Sequence, residues 1–254
     1  VAVADLMRSD GWVQLASTLQ AMAVRAARRL GLIELVAADV FQLRLGAFAT
    51  DRDVLLAGWY AEAVARAAEG RLADGIAACR SGLGLLDDIV AEAPTLEQRS
   101  AAMRLGRDLS QLAIELAVEL GDADTVLAAA EGTRARSLHE EMADQRRHRP
   151  LTESGAQQLR SELATRLGGR TLVEWIEIRD ETWAVVFGAA GGRLVRVGDT
   201  SELLRARDRV VMWLDRAAEE PDASSRNAAR AVGLLDELLL APLGLAPGCE
   251  AVVV

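Results

Sequence analysis

From Trp12 to Leu167 apolar residues recur every three or four positions, the spacing of one buried helix face. Trp12, Leu15, Leu19, Met22, Ala26 and Leu30 predict a first helix. Arg25, Arg28 and Arg29 lie near its end, where cations suit the helix dipole, and Gly31 is a plausible stop. Leu35, Phe41, Leu45 and Phe48 predict a second. A third runs from a cap at Asp51 or Asp53 through Leu56, Trp59, Ala63 and Ala67 to Gly70. A fourth, over about 72–91, carries Ile76, Cys79, Leu83 and Leu86. Pro94-Thr95 opens a fifth with Leu105, Leu109, Leu112, Leu116 and Leu120 on its face. Thr95 and Gln98 have capping-box spacing. Gly121-Asp122 separates it from a sixth, bearing Val126, Leu127, Ala130, Leu138 and Met142, which ends in Arg146-Arg147-His148-Arg149-Pro150. A seventh spans about 152–167 and stops at Gly168-Gly169.

Beyond Gly169 the pattern changes to runs rich in β-branched and aromatic residues. TLVEWIEI, ETWAVVFGA and RLVRVG predict three strands of an antiparallel meander, with turns at Arg179-Asp180 and Gly191-Gly192. Two helices follow. One spans about 201–218 with Leu203, Val210 and Leu214 inward; the next, capped by Asp222, carries Ala229, Val232, Leu235, Leu238 and Leu239. After Pro247-Gly248, the uninterrupted Ala251-Val252-Val253-Val254 suits a parallel strand buried on both faces. The predicted class is mainly α with an α/β C-terminal part. Helical repeats occupy 1–150, a connecting helix 151–170, and an incomplete α/β domain 171–254.

Helices separated by such short breaks pack as antiparallel neighbours, so repeats are expected. Trp59, Ala63, Gly70, Gly75, Gly82 and Leu83 fall where a tetratricopeptide repeat places its large, small and turn residues. The stretch resembles that pattern in degenerate form, because Glu62 and Arg66 stand where it prefers Leu and Tyr. Leu105 to Leu138 fits more loosely, with Gly121-Asp122 as the turn. An irregular helical bundle is the plainer alternative.

Composition narrows the classes. All 29 basic residues are Arg, the mark of a GC-rich genome, and the net charge of −9 repels phosphate backbones, which disfavours nucleic acid as a partner. Five prolines and no low-complexity run argue against long disordered stretches. No apolar run approaches the roughly 18 residues that a spanning helix needs. Two isolated cysteines and no signal peptide favour a reducing, cytoplasmic setting. Val at the start and the apolar VVV at the end read as the ends of a fragment of a longer polypeptide.

The order of segments carries a further resemblance. EGTRARSL (Glu131 to Leu138) is followed by a helix, then LVEWIEI, ETWAVVF and RLVRVG, two helices, LLDELLLAPLGL (Leu234 to Leu245) and AVVV. It resembles the junction of bacterial tetratricopeptide proteins that carry a CHAT domain, the caspase-like domain related to separase. The resemblance covers most of the chain and is strongest over 125–254. It implies a caspase-like α/β domain entered but not completed, and a regulatory or targeting arm that binds a protein or peptide. In that family the catalytic His and Cys follow the last strand seen here, so no catalytic residue is carried over and the chain itself is expected to be inactive.

The residues do not add a catalytic pair. A Cys–His dyad needs a thiolate and a base within hydrogen-bond reach. Cys79 lies on an apolar helix face, Cys249 in a turn before a strand, His139 at a polar helix position and His148 in the basic helix end; each reads as structural or surface. No metal-ligand spacing and no phosphate loop is present, and no cofactor is expected. Glu62, Arg66 and Arg104 are the candidate lining of a partner-binding groove. Arg134 and Arg136 either pair with Glu131, Glu140 and Glu141 along a helix or brace the two domains. Two other functions stay open: a non-catalytic scaffold for protein–protein interaction, and a helical small-molecule binder.

Overall fold

The computed structural model describes residues 20, 22–24, 26–28, 30–36, 40, 52–92, 95–142, 153–188, 190–219, 221–246 and 248–253. It describes the backbone alone at 35–36, 52–54, 96–105, 135–142, 153–156, 218–219 and 221–223. The protein is mainly helical, with a small mixed four-stranded sheet in its C-terminal part. The chain divides into two compact units, 1–159 and 160–254. The division falls inside a helix that the sequence pattern treats as a connector.

In the first unit, Gln20, Val24 and Ala27 are helical and buried, and Gly31 turns the chain at φ 69°. A short 3-10 turn follows at Ile33–Val36; most of the predicted second helix lies outside the described residues. Four helices come next: α1 Arg52–Ala68, α2 Leu72–Glu92, α3 Leu96–Leu120 and α4 Ala123–Met142. Each packs on the next in sequence, and α1 also touches α3. The breaks between α1 and α2 and between α3 and α4 share one geometry. Gly70 and Gly121 take left-handed φ of 76° and 77°. Arg71 N–H then donates to the Arg66 carbonyl at 2.9 Å, and Asp122 N–H to that of Ala117 at 2.9 Å. This returns orphan carbonyls to a partner and reverses the chain in two or three residues.

Small residues let these helices approach closely. A Cβ on Gly75 would stand 2.9 Å from Leu116 Cδ1 and 3.1 Å from the Ala63 carbonyl oxygen. One turn pair later, a Cβ on Gly82 would stand 2.7 Å from Leu109 Cδ1 and 3.0 Å from Trp59 Cβ. The glycines seven residues apart thus put α1 and α3 against one side of α2. Leu83, Leu86, Leu109, Leu112 and Leu116 fill the core, each adding about 1.5–3 kcal/mol by burial. Leu120, expected on this face, is exposed because it is the last residue of α3.

The second unit begins within α5, Glu153–Leu167. Strands β1 Thr171–Ile178, β2 Glu181–Gly188 and β3 Gly191–Asp199 form the predicted meander. Arg179, at φ 58°, makes the first hairpin with Ile178 opposite Glu181. The second turn differs from the expectation. Gly188 pairs with Gly191, so Gly191-Gly192 opens β3 instead of making the turn. The β2–β3 register shifts between Thr182 and Trp183, a bulge that leaves Val197 extra.

Helices α6 Thr200–Glu219 and α7 Pro221–Leu239 pack on each other and both touch β3. The inward stripe of α6 is Leu203, Ala206, Val210, Trp213 and Ala217, stepping by three and four. Leu214 falls one residue off that stripe and is exposed, contrary to expectation. On α7, Ser224 and Ala228 are buried while Ala229 and Val232 face solvent, the same one-residue error of phase. Strand β4, Ala251–Val253, joins β1 in parallel, giving the order β3-β2-β1-β4. Its burial is lower than the apolar run predicts: Ala251 and Val253 are exposed, because β4 is an edge strand among the described residues.

One face of the sheet holds Val173, Ala184 and Val186 under Leu243, which comes from the 3-10 turn Ala241–Leu243. Trp175, Val195, Val197 and Leu245 pack around them. The Arg193 guanidinium donates to the Leu243 carbonyl and pins that turn to β3.

Candidate functional site

The described residues contain no group of three or more His, Cys, Asp and Glu placed to hold a metal ion. None of the described helices is long and apolar enough to cross a membrane. One group of chemistry-bearing residues comes together in the first unit, around the break between α3 and α4.

Asp122 precedes α4 and caps it. Its Oδ1 accepts from Thr125 N–H at 3.0 Å, and its Oδ2 accepts from Thr125 Oγ1 at 2.6 Å. The Thr125 hydroxyl in turn accepts from Arg80 Nη2, on α2, at 3.3 Å. These three side chains, with Ile76, Leu120 and Asp124, line a pocket of about 300 Å³. It presents one guanidinium beside two carboxylates over an apolar wall. Arg80 Nε is buried and has no hydrogen-bond partner among the described residues. The sequence pattern exposed Gly121-Asp122 as a break but held no sign of Arg80, which reaches it from 45 residues away in the chain.

A second half-buried cation is Arg28. Arg28 Nη2 pairs with Glu115 at 3.2 Å and stands 3.8 Å from Glu119, tying the first helical segment to α3. Arg28 and Arg80 both act on Cys79, and both favour its thiolate. Burial outweighs them and pushes the thiol up to about 12. A thiol that stays protonated and shut off from solvent is no nucleophile.

Cys249 is different: it is exposed, with its Sγ 3.2 Å from Thr171 Oγ1. Among the described residues its hydrogen-bond partners are that hydroxyl and the Glu250 carbonyl, which supply no general base. The side chain of His139, and His148 altogether, lie outside the described residues.

The groove candidates are placed as follows. Glu62 and Arg66 share one face of α1, four residues apart, with Arg66 Nε 2.6 Å from Glu62 Oε1. They are half-buried rather than exposed, and each neutralises the other. The chain of charges continues over the α1–α2 turn, with Arg66 at 3.6 Å and Arg71 at 3.4 Å from Glu69, and Arg71 Nε 2.7 Å from Asp74 Oδ2. Arg104 is on α3, with its side chain outside the described residues. Arg134 pairs with Glu131 one turn earlier on α4, the plain reading of that pair of charges. Arg136 is on the same helix, its side chain again outside the described residues.

Comparison of the chain with protein-family models, curated proteins and solved structures finds no match.

Proposed function

We propose that the first unit is a protein- or peptide-binding arm built from degenerate tetratricopeptide-like helical hairpins. In the same reading it is the regulatory arm of a CHAT-type, caspase-like cysteine protease, and the second unit belongs to the caspase-like part. The observation that carries the proposal is the repeated α1–α2 and α3–α4 geometry. A left-handed glycine reverses the chain at both breaks, and small residues on α2 admit α1 and α3 against the same side of it. Such stacks of hairpins build extended surfaces suited to polypeptide ligands.

The state of the two cysteines supports an arm without chemistry of its own. Cys79 is buried and protonated, and Cys249 contacts a hydroxyl and a carbonyl. A peptide library incubated with residues 1–254 and read by mass spectrometry is expected to show no cleavage. Cleavage that persists in the Cys79→Ala, Cys249→Ala double variant would reveal a missed site. Binding is tested on a peptide array, where the expected result is capture of a restricted set of sequences that Arg66→Glu weakens. An array that captures nothing, or one that Arg66→Glu leaves unchanged, removes the α1 groove from the proposal. A second reading, small-molecule binding, has the pocket at Arg80 in its favour. Asp122 is taken up in capping α4 and Arg80 in holding the Thr125 hydroxyl of that cap, and this ranks it behind the first.

A further inference from the structure

We draw no further inference here: the strongest candidate, the outer face of α6 with exposed Leu204, Val211, Met212 and Leu214, carries nothing because nothing in the structure shows what covers it.

Discussion

Gly106 of α3 faces Leu86 of α2 so closely that a methyl group on the glycine would overlap the leucine side chain. Leu86 is fully buried, so it has no open space to turn into. Gly106→Ala should therefore destabilise the first unit. Overpacking costs about 1–3 kcal/mol, against a gain in helix propensity of about 1 kcal/mol. Gly84, on the same helix as Leu86, has open space where its Cβ would be. Gly84→Ala should raise stability by about 0.5–1 kcal/mol. Urea melts of the two variants should move in opposite directions; a shift of the same sign for both would refute this packing of α2 on α3.

Loss of the α4 cap has its own signature. Asp122→Ala leaves Thr125 N–H and its hydroxyl without their acceptor. The expected cost is about 0.5–2 kcal/mol. Asp122→Asn keeps a capping oxygen and should recover most of it. A thermal melt in which Asn is as damaging as Ala would mean that the charge opposite Arg80, not the cap, is what matters.

The two thiols should separate in a reagent assay. Cys249 is exposed and should react with a thiol reagent in the native protein. Cys79 is buried and should react only on unfolding. One reactive thiol before denaturant and two after is the expected count. Fast native reaction of both would place Cys79 at the surface.

Cys79 also sets an alkaline limb. Its pKa is raised from 9.0 to about 12 in the folded chain. Between those values the unfolded chain has released a proton that the folded chain keeps, so stability falls as pH rises. Its contribution is intact below about pH 9 and declines toward pH 12 by up to about 1.4 kcal/mol per pH unit. Cys79→Ala should flatten that slope while lowering stability near neutrality. An unchanged slope in denaturant titrations across this window would show that another group controls it.

Much of the architecture is legible in the residue pattern, and the misses share a cause. Helices α1 to α4 follow from apolar spacing and from Gly70 and Gly121, signals that are local. The meander follows from its β-branched runs. Leu214, Ala229 and Val232 fit an inward face by spacing, because spacing alone admits neighbouring phases; which phase wins depends on the surface beneath, and that is tertiary. Gly191-Gly192 has the composition of a turn, yet both residues pair within the β2–β3 ladder. The apolar β4 read as fully buried because hydrophobicity does not report position within a sheet. Glu62 and Arg66 stand out as departures from a repeat pattern, and such a pattern carries no sign that they pair with each other. Arg80 carries no local signal because its partner Thr125 is distant in sequence.

The pairing of β4 with β1 has a kinetic consequence. In the first unit, helices meet their sequence neighbours, and contacts of that kind form early and fast. Thr171 meets Ala251 only after nearly all of the intervening chain has been gathered, and closing so long a loop costs entropy before any bond repays it. The hairpins of β1, β2 and β3 need no such closure. Refolding should accordingly run in two stages, with the helices and the meander in place before the last strand docks, and unfolding should begin by releasing that strand.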